Sequence, residues 1–142
     1  MATTIRPEVS AKNKYWVDKH RHYELKHFCL QYPMWKKMYS AVTEIGASSL
    51  SATKSGRNLS DLTARCAMRR IYYSDKIKMV ERAARESDPD LYIYILKGVT
   101  EGLSYTYLKT KLNMPCGRDT YYDRYRKFFW LLNKSRDNFD EK

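Results

Sequence analysis

The sequence contains no long apolar run. A membrane-spanning helix needs about 20 consecutive apolar residues, and no segment of the 142-residue chain approaches that length. The first residues, Met1 to Pro7, also lack the apolar core of a secretory signal peptide. We therefore expect no membrane span, and we expect the protein to be cytoplasmic.

Cysteine is scarce and irregularly spaced. The three cysteines, Cys29, Cys66 and Cys116, are odd in number and show no Cys-x-x-Cys spacing, which argues against a disulfide framework or a zinc ribbon. We expect reduced, mostly buried thiols. Cys116 should lie near the start of a helix, where a thiol can become acidic, but no histidine is close enough in sequence to activate it.

The patterns of catalytic and metal sites are also missing. The chain has no glycine-rich phosphate loop, and its acidic residues are too scattered to indicate a carboxylate pair. His20 and His27 share a helical face but lie too far apart for the adjacent-turn pairing of a helical zinc site, and His22 points elsewhere. We therefore predict no catalytic residue, no metal and no cofactor, and we do not expect an enzyme.

Basic and aromatic residues are abundant instead. Lysine and arginine total 27 against 16 acidic residues, which gives a net charge of +11. Such a surplus favours polyanionic partners, either nucleic acid or an acidic membrane. Thirteen tyrosines, four phenylalanines and three tryptophans supply much of the apolar area from which a core can be built.

Residues 1–46 are predicted to form an N-terminal helical hairpin. Pro33 should end the first helix, which runs from about Lys12 to Gln31, because proline disfavours helical conformation in the residue before it. The second helix is expected over 34–45. Residues at helical spacing form one stripe on each helix: Trp16, His20, Tyr23, His27 and Leu30 on the first, and Trp35, Met38, Val42 and Ile45 on the second.

Several roles are open for this N-terminal region. Its helices can supply the contacts of a homo-oligomer or a contact with RNA polymerase. The basic, aromatic segment 12–37 also fits a membrane surface or a partner helix, and a plainer alternative is that it packs against the helix of residues 60–86.

Residues 47–58 are predicted to be a flexible linker, because the segment 46–58, GASSLSATKSGRN, is small and polar and lacks apolar periodicity. Asn58 or Ser60 can cap the long amphipathic helix that follows. The apolar stripe of this helix keeps its phase over more than six turns, and it contains Leu62, Cys66, Tyr73, Ile77, Val80 and Ala84.

Residues 90–134 follow the plan of a helix-turn-helix. Asp88 and Pro89 should start a helix that ends near Gly102, with Leu91, Ile95 and Val99 buried. A short helix capped by Ser104 is predicted over 105–112, a turn over 113–117 and a last helix over 118–134. The core face of the last helix contains Tyr121, Tyr125, Phe128 and Leu132.

We therefore predict an all-α protein with a DNA-binding domain at residues 59–136 and a tail at 137–142. Between residues 104 and 136 there are eight basic and two acidic residues, a local net charge of +6. Six of the candidate DNA-binding residues flank or oppose the predicted core face of the last helix, and two belong to the short helix before it: Arg118, Thr120, Tyr122, Arg124, Arg126 and Lys127 on the last helix, and Lys109 and Lys111 on the short one. Arg118, Thr120 and Arg124 are the candidates for base-edge or phosphate contact, and the lysines and Arg126 for phosphate contact alone.

A family resemblance rests on three segments. The hexapeptide Ser60-Asp61-Leu62-Thr63-Ala64-Arg65, the run 71–83 and the region 91–132 resemble the ArpU/RinA-type late transcription regulators of phages of Gram-positive bacteria, which look like sigma-factor region four. In that family an amphipathic helix precedes a helix-turn-helix. Cys116-Gly117-Arg118-Asp119-Thr120-Tyr121 occupies the place of the family's Ser-x-x-Thr-like start of the second helix.

The resemblance implies a phage or prophage transcription regulator that binds double-stranded DNA in the cytoplasm of a bacterial host. Two other functions fit the same pattern. A small terminase subunit joins a helix-turn-helix to helices that build a ring, and it differs from a regulator in oligomer size. A phage protein that inhibits a host complex fits the small size but makes less use of the basic helix.

Overall fold

The computed structural model describes residues 12–52 and 56–140, and these residues form helices, turns, bends and short irregular segments without any strand. The all-α prediction is therefore confirmed for this part of the chain. The helices, in chain order, are α1 (Lys19–Leu30), α2 (Tyr32–Ala52), α3 (Gly56–Ser87), α4 (Tyr92–Glu101), α5 (Tyr105–Lys111) and α6 (Arg118–Asp140).

The described residues group into two compact units. The large unit contains residues 12–31 and 79–140, and the small unit contains residues 32–52 and 56–78. Within the large unit, α1 packs against α4 and α6, and α4 packs against α5 and α6. This placement of α1 was not among the alternatives that the sequence suggested. The existence of a separate DNA-binding domain at 59–136 stays a prediction.

The first helix begins later than predicted and buries a different face. α1 starts at Lys19, where the Asp18 side chain accepts a hydrogen bond from the His20 N–H. The predicted stripe lies on the exposed side, since Trp16, Tyr23 and Leu30 are 39%, 42% and 41% exposed. The buried residues of α1 are instead His22, Leu25, Phe28 and Cys29. Two faces of this helix carry apolar groups, and the one against α4 and α6 is buried.

The predicted linker is largely helical. α2 continues to Ala52 and α3 begins at Gly56, so the positions of the linker between them, 53–55, lie outside the described residues. Alanine and serine tolerate helical conformation, and small polar composition alone therefore did not indicate a loop.

The corner between α3 and α4 is organised by Asp88. Its Oδ1 accepts hydrogen bonds from the N–H groups of Asp90 at 2.8 Å and Leu91 at 3.1 Å. α4 thus begins a few residues after the predicted start, at Tyr92. Leu91, Ile95 and Val99 are 6%, 0% and 4% exposed, which confirms the predicted stripe.

α4 approaches α5 and α6 closely at Gly98. A Cβ added at Gly98 would lie 2.6 Å from Tyr121 Oη and 3.3 Å from Leu108 Cδ1, so only glycine fits without rearrangement. Gly102 ends the helix at a φ of 69°, a left-handed conformation that favours glycine. The predicted end near Gly102 is confirmed.

The buried face of α6 is wider than one stripe. Tyr121, Phe128 and Leu132 are buried as predicted, and Tyr125 is half-buried. Phe129, which was not part of the predicted face, is only 1% exposed. α6 packs against both α4 and α1. The His22 ring of α1 lies edge-on to the Phe129 ring, with the ring centroids 4.7 Å apart. The helix extends to Asp140, through Lys134, where it was predicted to end.

Candidate nucleic-acid interface

The predicted short helix and its following turn are present. Ser104 caps α5 by accepting a hydrogen bond from the Tyr107 N–H at 3.1 Å, and α5 ends at Lys111. Asn113 then adopts a φ of 55°, in the left-handed region that asparagine tolerates better than most residues. The next N–H, that of Met114, donates to the Leu108 carbonyl at 3.1 Å. These two features form the tight turn that precedes α6.

Two side chains of α5 fasten this turn. Lys109 Nζ donates to the carbonyl oxygens of Met114 at 3.1 Å and Cys116 at 3.2 Å. The Tyr105 hydroxyl donates to the same Cys116 carbonyl at 3.3 Å. Lys109, a candidate phosphate ligand, therefore also stabilises the turn. Because an ammonium group has three donors, these two bonds leave one N–H of Lys109 for a phosphate.

The Cys116 thiol is not activated by its position next to α6. Burial raises its pKa above the ordinary value, and this effect exceeds the opposing influence of the Lys109 cation. The thiol therefore stays protonated at neutral pH, in contrast to the acidification that a helix start can cause. Cys29 is fully buried, and burial likewise raises its pKa.

The first turn of α6 presents Arg118 and Thr120 to solvent. The Arg118 guanidinium lies over the Tyr105 ring, 4.8 Å from its centroid. Tyr105 also contacts Tyr121 and Tyr122, with ring centroids 5.8 Å and 6.3 Å apart. A cation held on an aromatic face keeps a restricted orientation. The structure thus brings Arg118, Tyr122 and the Lys109 turn together around Tyr105.

Arg124 is engaged in ion pairs. Its Nε lies 3.1 Å from Asp88 Oδ2, and its Nη1 lies 2.7 Å from Asp123 Oδ2. Burial opposes the charged form of Asp88, but the N–H groups of Asp90 and Leu91 and the Arg124 guanidinium together lower its pKa. Arg124 therefore ties α6 to the corner between α3 and α4.

The remaining candidates lie farther along the helices. Arg126 and Lys127 are half-buried, and Lys111 is exposed at the end of α5. Arg126 Nε is buried without a hydrogen-bond partner among the described residues. None of the contacts described between these residues joins Lys111, Arg126 or Lys127 to the group around Tyr105.

Sequence reasoning missed Tyr105 and Asp88 as residues that position the candidate site. Tyr105 is the first residue of α5 and Arg118 is the first residue of α6. Asp88 lies 36 positions before Arg124. In both pairs the two residues belong to different elements, separated by at least one turn of the chain, so no local pattern indicates the contact. The polar pair of Asp88 and Arg124 could have been found only by knowing how α6 crosses the corner.

Neither a metal-binding group nor a membrane-spanning helix is found among residues 12–52 and 56–140. In this part of the chain no three His, Cys, Asp or Glu side chains form a group able to hold a metal ion, and none of the helices combines the length and apolarity needed to cross a membrane. His22 is buried, whereas His20 and His27 are exposed.

Comparison of the chain with protein-family models, with curated proteins and with solved structures finds no match.

Proposed function

We propose that this protein binds double-stranded DNA as a transcription regulator of phage or prophage origin, with the start of α6 in the major groove. The observation that carries the proposal is the exposed first turn of α6, where Arg118 and Thr120 stand beside a turn fastened by Lys109 and Tyr105. Groups that read base edges need a rigid support behind them. The buried residues Tyr121 and Phe128 supply that support.

Arg118 is the proposed base-reading residue. Its guanidinium has five donors in a planar fork that matches the two acceptors of guanine in the major groove. The Tyr105 ring restricts its position before DNA arrives. Thr120, two residues later on the same exposed turn, is the proposed second contact to a base edge or a phosphate.

Arg124 is proposed to act mainly by positioning α6. To contact a base, Arg124 would have to break its ion pair with Asp88 or with Asp123. That carboxylate would then lack its cation. Lys109, Lys111, Tyr122, Arg126 and Lys127 are proposed to contact phosphates or sugars, which fixes the register of the protein without reading sequence.

Binding to duplex DNA at several salt concentrations tests the proposal. A preferred site is first selected from a random duplex library with the full chain. Affinity for this site should fall steeply as salt rises, because each neutralised phosphate releases counterions. A flat salt dependence, or no binding at low salt, would contradict DNA binding.

Two variants and a control then separate sequence reading from charge attraction. Arg118→Ala should remove about 1 to 3 kcal/mol of discrimination at one or two base pairs. Lys111→Ala should weaken the selected and a scrambled duplex alike. Lys37→Ala, at an exposed basic residue on α2, is the matched control and should change neither affinity by much. Equal losses for Arg118→Ala on both duplexes would show that α6 binds phosphates only.

A further inference from the structure

The most exposed apolar side chains of the described residues lie together on α3. Met68, Ile71 and Tyr72 are 70%, 60% and 57% exposed. They belong to the small unit, and their spacing of three and four residues places them on neighbouring turns of one helix face. Contiguous exposed apolar groups of this kind mark interaction surfaces.

Two members of this apolar group, Met68 and Ile71, form the centre of a longer seam. Six exposed residues of α3 follow one another at alternating spacings of three and four: Asp61, Ala64, Met68, Ile71, Asp75 and Lys78. This is the spacing of the positions that face a second helix in a coiled coil. Residues on the other side of α3, such as Cys66, Tyr73 and Ile77, are half-buried. The seam therefore lies on a different face of α3 from the predicted apolar stripe, and it has an apolar centre between charged ends.

The charges of the seam indicate its partner. We propose that the seam binds the seam of a second copy of this chain, with the two α3 helices antiparallel. In this arrangement Met68 packs on the partner's Ile71, and Asp61 lies opposite the partner's Lys78. Asp75 lies opposite the partner's Ala64, next to the partner's Arg65. The apolar centre is covered, and each carboxylate of the seam faces or adjoins a cation.

Other arrangements fit the charges less well. In a parallel pair, Asp61, Asp75 and Lys78 would each lie opposite the same residue of the second copy. Like charges would then meet at all three positions, which is unfavourable. An anionic partner such as DNA or an acidic membrane would meet the carboxylates of Asp61 and Asp75. The two-fold pairing is self-complementary, as an isologous dimer requires. It places the subunit contact on α3, whereas the sequence had suggested the N-terminal helices.

Sedimentation of the full chain over a range of concentrations, without DNA, tests the proposal. The wild type should be a reversible dimer. Asp61→Lys and Lys78→Asp should each weaken the dimer by about tenfold or more, because the two-fold axis applies each like-charge contact twice. The double variant Asp61→Lys/Lys78→Asp restores opposite charges and should return the dissociation constant to within about threefold of the wild type.

The matched control is Arg70→Asp, which reverses an exposed charge on the opposite side of α3 and should leave the dimer unchanged. Circular dichroism of every variant establishes that the helices still form. A monomer at all concentrations, a ring of many copies, or a dimer indifferent to both single charge reversals would overturn the proposal. Because no DNA is used, none of these outcomes bears on DNA binding by α6.

Discussion

The two compact units differ in how much of their apolar side chains they bury. In the large unit, aromatic residues such as Tyr121, Phe128 and Phe129 are at most 2% exposed. In the small unit, the buried apolar residues among the described side chains are Tyr32, Trp35 and Val42, while Met34, Met38, Tyr39, Met68, Ile71 and Tyr72 are exposed. The large unit therefore has its own core, and the small unit presents apolar surface that association can bury.

The largest effect is expected from a substitution at the centre of the large unit's core. Phe128→Ala should lower the free energy of unfolding by about 3 to 5 kcal/mol, because it removes a fully buried ring and leaves a cavity. Denaturant unfolding measures the change. Ile93→Ala, at an exposed position of α4, is the control and should stay within about 0.5 kcal/mol of the wild type. A similarly small change for Phe128→Ala would show that α6 is rotated relative to the structure.

The next prediction concerns the polar anchor of the large unit. Asp88→Ala should destabilise by about 1.5 to 3 kcal/mol at neutral pH, since it removes hydrogen bonds to two N–H groups and the pair with Arg124. Asp88→Asn keeps an oxygen acceptor but loses the charge, and should therefore cost less.

The pH dependence of this anchor has a definite sign. The folded state lowers the pKa of Asp88, so its contribution is present above the ordinary carboxyl pKa of about 4 and is lost as the pH falls through the lower folded value. The stability gap between the wild type and Asp88→Asn should close on acidification. A gap that stays constant, measured by thermal unfolding from neutral to acidic pH, would mean that Asp88 carries no depressed pKa.

A smaller effect is expected at the close approach of α4 to α6. Gly98→Ala should destabilise by about 1 to 3 kcal/mol, because the new methyl group collides with the buried Tyr121 hydroxyl. Tyr121→Phe removes that oxygen, so Gly98→Ala should cost much less in the Tyr121→Phe background. A double-mutant cycle of unfolding free energies measures this difference, and strictly additive effects would place the two residues out of contact.

The smallest effect is expected in the small unit. Met68→Ala should change the unfolding free energy by no more than about 0.5 kcal/mol when measured at low protein concentration, because the side chain is 70% exposed. Its effect should appear instead in the concentration dependence of stability, since a dimer stabilises its subunits by mass action. A loss of several kcal/mol at low concentration would show that Met68 is part of a core and that the two units are alike.

Much of the C-terminal half could be predicted because its signals are local. Ser104 caps α5, Gly102 ends α4 and the Leu91, Ile95 and Val99 stripe is buried, and each depends on residues within a turn or two. The exposed candidates Arg118 and Thr120 were found in the same way. Their contact with DNA stays a prediction.

The amino-acid sequence by itself determined the end of α4, the bounds of α5 to within one residue and the start of α6, because caps, left-handed glycines and apolar periodicity act within a few residues. Only the tertiary structure decided which face of α1 is buried, that Arg124 pairs with Asp88, and that Arg118 rests on Tyr105. Those choices depend on contacts between helices. The elements that pack against a helix with two apolar faces decide which face is buried. They likewise decide which of several nearby carboxylates an arginine pairs with.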